Sequence, residues 1–268
     1  MKQRLWLAIL AIVLAAGLAS AASADPLAYA VDTNRDLYSV DLATGAATWI
    51  GATGRFLEGL ALSPAGDLFA TNNSGDLFGV DPLTGAATLI GSTGIGNVEG
   101  LDFLGGTLLG IDFSGTPTLY AIDTVTAAAT PLLAAGSPTG FVRAIAVLDA
   151  STLLLRGDGP PNNTLYALNL TSGAVSSIGT LGVTGTQFAA MDFASDGNLY
   201  GLDNEGSAWS IDPATATVSL IGDTGSQFWL DMAARPSTAV PAVPEPGALG
   251  LALGLALSLA AARRRRRA

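Results

Sequence analysis

Three charged side chains stand at matching places in a sequence that repeats itself: Glu58, Glu99 and Arg143. Each lies two residues before an aliphatic residue of a short apolar stretch, namely Leu60, Leu101 and Ile145. The same alignment sets Met191 and Leu230 level with those aliphatics, and so Ala189 and Phe228 level with the charges. If these stretches face one channel, two carboxylates and a guanidinium surround a single mouth, a combination suited to a small polar ligand or a sugar. A second group, Asp32, Asn34 and Asp36, places oxygen ligands at alternate positions, as the start of a calcium loop does. That loop needs glycine at its sixth position, where this chain has Leu37, and the distant bidentate glutamate is missing. Asp and Asn in a tight turn between strands account for the same spacing. The expectation is therefore no cofactor and no metal, with calcium at Asp32, Asn34 and Asp36 as the alternative.

Other chemistries are closed off by composition. The chain has no histidine and no cysteine, which removes Ser-His-Asp triads, thiolate nucleophiles, imidazole and thiolate metal sites, and disulfides. The glycine cluster Gly91–Gly100 has no lysine and no helix after it, so it is a loop and not a phosphate cradle. Carboxylates alone can hydrolyse glycosidic bonds, but no pair stands out from the aspartates that open turns. A carbohydrate-active enzyme is the lesser expectation and a non-enzymatic protein the leading one.

The elements that must position these residues follow from the repeat. LYSVDLATGAATWIG, at 37–51, returns as LFGVDPLTGAATLIG at 77–91, and again in looser form from Leu119, Leu165 and Ala208. The aromatic of each copy is Tyr38, Phe78, Tyr120, Tyr166 and Trp209, at spacings of 40, 42, 46 and 43. Each copy reads as four short strands parted by turns, and helical periodicity is absent between the tails. Helix-free four-stranded units of 40 to 50 residues are the signature of an all-β β-propeller, here of five blades. The copies run in one phase from first to last, which predicts no split blade to lock the ring. An open solenoid or a two-sheet β fold is the alternative. Features alike in every copy are structural: the aromatics between blades, and Asp41, Asp81, Asp123, Asn169 and Asp212 as turn openers.

Both tails read as processing segments. Lys2 and Arg4, the apolar run 5–18 and the small-x-small site Ala22-Ser23-Ala24 make residues 1–24 a secretory signal peptide, cleaved before Asp25. Residues 25–236 form the repeat domain, 237–243 a linker, and 244–268 a terminal element. Seven of the 12 basic residues lie in the signal peptide and the arginine cluster, leaving five bases against 22 acids over 25–245, a net charge of −17. Such a surface repels nucleic acid and anionic lipid.

The terminal element, with the Val243 that precedes it, has three parts: Val243-Pro244-Glu245-Pro246, an uncharged run over 247–262, and Arg263, Arg264, Arg265, Arg266 and Arg267. The run suits a transmembrane helix extended by snorkelling arginines, which the positive-inside rule keeps in the cytoplasm. In order and spacing these parts resemble the PEP-CTERM sorting signal of exported proteins in exopolysaccharide-producing Gram-negative bacteria. The resemblance covers only about the last 25 residues. It implies a membrane-embedded transpeptidase, exosortase, as partner, with Pro244, Glu245 and Pro246 as its recognition motif. It also implies transient residence in the inner membrane, then the cell surface or extracellular matrix, with a role in exopolysaccharide or biofilm. It implies nothing about the activity of the domain ahead of it. A ligand-binding propeller, lectin-like or calcium-assisted, is the alternative for that domain.

Overall fold

Turn chemistry divides the chain into strands. Asp41, Asp81, Asp123, Asn169 and Asp212 each accept a hydrogen bond from the backbone N–H two residues on, at 2.8–3.0 Å. This side-chain turn reverses the chain at the same point of every copy, and it settles the recurring aspartates as caps. In the computed structural model the described residues are 27–135, 140–159, 161–183, 185–225 and 228–235. No helix occurs among them. The predicted signal peptide, linker and sorting signal lie outside the described residues.

Twenty strands make five four-stranded antiparallel sheets, the blades of a propeller. Blade 1 contains β1 (Leu27–Asp32), β2 (Asp36–Asp41) and β3 (Ala47–Ala52). Blade 2 is β4 (Gly59–Leu62), β5 (Leu68–Thr71), β6 (Asp76–Val80) and β7 (Ala87–Ser92). Blade 3 is β8 (Val98–Leu104), β9 (Thr107–Asp112), β10 (Thr118–Ile122) and β11 (Ala129–Ala134). Blade 4 is β12 (Val142–Asp149), β13 (Thr152–Gly157), β14 (Thr164–Asn169) and β15 (Val175–Thr180). Blade 5 is β16 (Phe188–Phe193), β17 (Leu199–Asp203), β18 (Ser207–Ile211) and β19 (Val218–Asp223), and β20 (Trp229–Ala234) remains.

That last strand corrects the expectation of an unlocked ring. β20 pairs antiparallel with β1, so blade 1 takes its inner strand from the end of the chain and the other three from its start. The sequence copies run β5-β6-β7-β8, whereas the blades run β4-β5-β6-β7. Each copy therefore gives its last strand to the next blade. A uniform phase and a split blade coexist, because the unit that repeats is offset by one strand from the unit that folds.

Five apolar clusters fill the five seams between neighbouring blades. The repeated aromatic packs into the apolar cluster at the seam with the preceding blade; within its own blade Tyr38 meets Trp229 edge-on at 5.3 Å and Trp209 stands 6.0 Å from Phe188, while Tyr166 is 1 % exposed. A β-bulge sits beside that aromatic in all five blades. It adds one residue to the outer strand (Ile50, Ile90, Leu132, Ile178 or Ile221) and turns it onto a seam cluster. Farther out, the turn of one blade lies on a glycine of its neighbour. A Cβ on Gly51 would stand 2.0 Å from the Thr84 carbonyl oxygen, and one on Gly222 would stand 2.3 Å from that of Thr44. The conserved spacing of TGAATxIG within this chain is thus the spacing of an inter-blade contact.

Candidate functional site

The inner strands β4, β8, β12, β16 and β20 ring a central channel, and each seam between them carries a side-chain tie to backbone. Asp102 accepts from Val147 N–H at 2.6 Å, Asp192 from Ala234 at 2.7 Å, and Asp231 from Leu60 at 2.8 Å. Thr71 donates its hydroxyl to Val98 C=O at 2.7 Å, and Asn163 Oδ1 accepts from Phe188 N–H at 3.2 Å. Burial raises the Asp102 carboxyl to about 6 and holds those of Asp192 and Asp231 well above the usual range. All three serve as staples, and among the described residues no group of three or more acidic side chains is arranged to hold a metal.

At one end of the channel is a cavity of about 190 Å³. Its wall contains Glu58, Glu99, Arg143, Ala189 and Leu230, one residue from each inner strand or the position just before it. In β8, β12, β16 and β20 that residue is the extra one of a bulge, which aims its side chain out of the ladder and into the opening. The structure thus brings Glu58, Glu99 and Arg143 together as the repeat alignment predicts. It moves the fifth register by two: Met232, and not Leu230, is the counterpart of Leu60, because Ala30 faces Met232 where Ala70 faces Leu60. A shift of two keeps every side chain on its face, so alternation along the strand cannot reveal it. Phe228 nevertheless reaches the wall with Trp229, and blade 5 adds Gln187, Phe188 and Asn204.

Charge at the mouth is organised as a chain running out of the core. Arg156 is fully buried, at a β13 position that the other blades fill with Val31, Thr71, Ile111 and Leu202. Its Nε donates to Asn163 Oδ1 at 2.9 Å, and its Nη1 stands 2.7 Å from Asp158 Oδ1. Asp158 in turn accepts from Arg143 Nε at 2.9 Å, and Arg143 Nη1 reaches Glu99 Oε2 at 3.3 Å. The Arg143 guanidinium also lies 4.8 Å from the Phe113 ring centre, a cation–π contact. Its Nε, its Nη1 and one face are thus engaged by the protein, while the side chain stays 36 % exposed at the mouth.

The two glutamates are less well served. Asn97 Nδ2 donates to Glu99 Oε1 at 3.1 Å, while Glu58 Oε2 is buried without a hydrogen-bond partner among the described residues. Burial, against the opposing pull of Arg143, raises the Glu99 carboxyl to about 7, and Glu58 adds to the rise. Burial raises Glu58 as well, against the opposing pull of Arg143 and of an Asn97 side-chain hydrogen bond. Burial pulls the Arg156 guanidinium down to about 10, so it stays charged at neutrality.

Sequence reasoning missed Arg156, Asp158 and Asn163. The repeat held the signal: Arg143 and Arg156 are two of only five basic residues between the tails, and both fall in the fourth blade. The calcium candidate reads differently in place. Asp32 Oδ1 accepts from the Asn34 and Asp36 backbone N–H groups, and Oδ2 accepts from Asn34 Nδ2, all at 3.0 Å. Asn72 and Asp203 cap the matching turns in the same way, so this acceptor set belongs to the β1–β2 turn.

No protein-family model matches the chain, and no curated protein matches it. Among solved structures, one chain of a nidogen/laminin complex is similar at 18 % identity and a TM-score of 0.55, over 80 % of this chain and 82 % of that one. A protein of unknown function from Bacteroides caccae is similar at 12 % identity and a TM-score of 0.55, over 79 % of this chain and 99 % of that one. At such identities the likeness is one of fold, and the fold is a β-propeller.

Proposed function

We propose that the chain is an exported, non-enzymatic surface or matrix protein whose propeller binds a small polar ligand at the channel mouth. The observation that carries the binding role is the mouth itself. Five blades bring residues of four types to one equivalent position around one cavity, whereas the turn caps and seam aromatics recur from blade to blade. Destination rests on the resemblance of residues 243–268 to a PEP-CTERM signal, with exosortase as the processing partner and exopolysaccharide as the setting. Replacing Pro244, Glu245 and Pro246 with alanine in the full chain is expected to leave an unprocessed, membrane-retained precursor. Intact-mass measurement on cell fractions reads this out, and an unchanged mature mass removes the sorting role.

A glycoside-hydrolase reading draws on one observation, a carboxyl raised to about 7 at Glu99 with a second carboxylate, Glu58, on the same wall. Against it, Arg143 holds Glu99 Oε2 in an ion pair, which favours the ionised form over a proton donor. Glycan binding without turnover of the bound sugar, followed by chromatography over a day, is the expected outcome.

A further inference from the structure

The mouth is asymmetric in its unmet chemistry. On the side of blades 2 and 3 it offers acceptors: Glu58, whose Oε2 has no hydrogen-bond partner among the described residues, stands on the cavity wall next to Glu99. The cation that balances the acids is already engaged, since Arg143 binds Asp158 through Nε, Glu99 through Nη1 and Phe113 through its face. Arg156 is buried behind it and absent from the cavity wall. On the side of blade 1, Phe228 stands 51 % exposed as an open aromatic face, and Gln187 and Asn204 of blade 5 supply amides. A buried carboxylate oxygen without a donor costs free energy until a donor arrives. An ammonium supplies up to three donors and a compensating charge, and it also favours aromatic faces. The cavity, about 190 Å³, lies below the ~300 Å³ at which drug-sized pockets begin, so it suits one small ring or less.

From this we infer that the ligand is a small molecule carrying a protonated primary amine, which Glu58 and Glu99 receive while Phe228 covers its apolar face. The inference rests on the mouth being a binding site and narrows what that site selects. A hydroxyl can satisfy one acceptor but cannot offset the negative charge, so a neutral sugar of the same size binds more weakly. Acetylating the amine removes its charge and has the same consequence.

Calorimetric titration of the purified full chain with glucosamine, N-acetylglucosamine, glucose and ethanolamine at neutral pH tests this. Glucosamine is expected to bind about tenfold or more tighter than glucose and N-acetylglucosamine, the scale of one charge-assisted hydrogen bond. Glu58→Gln is expected to erase that preference while leaving the folded state intact by circular dichroism. Binding of ethanolamine alone upholds the amine and sets aside the sugar ring. Equal binding of all three sugars, or a glucosamine preference untouched by Glu58→Gln, overturns the inference and leaves the polar-ligand site standing. Absence of binding by all four removes both.

Discussion

The outer rim and the channel mouth are cut from the same repeat and use it in opposite ways. At the rim, Gly51, Gly91, Gly179 and Gly222 each receive the turn of the next blade, and only blade 3 departs, with Leu133 in the glycine's place. Every blade must meet its neighbour there, and four of the five seams do so through the same contact. At the mouth each blade meets the cavity, and one acid, a second acid, an arginine, an alanine and a leucine share one structural position. Repetition therefore marks what holds the ring, and divergence marks what the ring holds. Arg156 shows how deep the divergence reaches: a core position that is Val31, Thr71, Ile111 or Leu202 elsewhere becomes a buried cation in the blade that supplies Arg143.

Substitution can separate the two regions. Gly51→Ala places a methyl 2.0 Å from a backbone oxygen that cannot move without its turn, and such overpacking costs about 3 kcal/mol. Thermal unfolding of the full chain should then fall by about 6–12 °C. Gly106→Ala, where an added Cβ meets nothing within 4 Å, is the control and should leave the midpoint in place. If both variants melt together, the rim contact is not what closes the seam. Arg156→Leu restores the residue type of the other blades but leaves Asp158 short of one cation. Because Arg143 still holds Asp158, the loss should be about 2 kcal/mol, below the range for a fully orphaned buried charge. Asp158→Asn in the same chain should recover part of it. A double variant as unstable as the sum of the single ones would break the picture of a linked ionic chain.

Much of this was legible because a repeat protein carries its own alignment. The Asp-opened turns, the seam aromatics, the blade count and the shared position of Glu58, Glu99 and Arg143 follow from comparing the copies. Ring closure was not legible, since a repeat cut at any strand looks the same and only β20 against β1 shows where the blade begins. The register of β20 was hidden by the two-residue period of a strand, which makes Leu230 and Met232 interchangeable by pattern. Arg156 was overlooked for a related reason: an arginine in a strand reads as solvated until the fold shows it fully buried behind Asp158.

The same contrast between regions should shape the dependence of stability on pH. Rim carboxylates are held below their ordinary value of 3.8 by turn hydrogen bonds, first from the Leu83 N–H for Asp81, the Thr126 N–H for Asp123 and the Ala214 N–H for Asp212. A depressed carboxyl contributes stability above its unfolded pKa, and that contribution is lost as pH falls through the folded value. Channel carboxylates do the reverse. Burial raises Glu99 from 4.5 to about 7, with Arg143 opposing and Glu58, Asp158 and Asn97 also facing it, and burial raises Asp102 from 3.8 to about 6. A raised carboxyl contributes fully below its unfolded pKa and ceases to as pH rises through the folded one. Asp192 and Asp231 act in the same sense. Stability of the full chain should therefore peak at about pH 4 and decline as pH rises through about 7, as scanning calorimetry across buffers would show. Glu99→Gln should flatten the neutral limb and leave the acid limb alone. Asp81→Asn should do the opposite, by a smaller amount, since Asn169 already caps the equivalent turn of blade 4 without a charge. A midpoint higher at pH 8 than at pH 5 would mean that the channel carboxylates are ionised at little cost, and the mouth would lose its claim to differ from the rim.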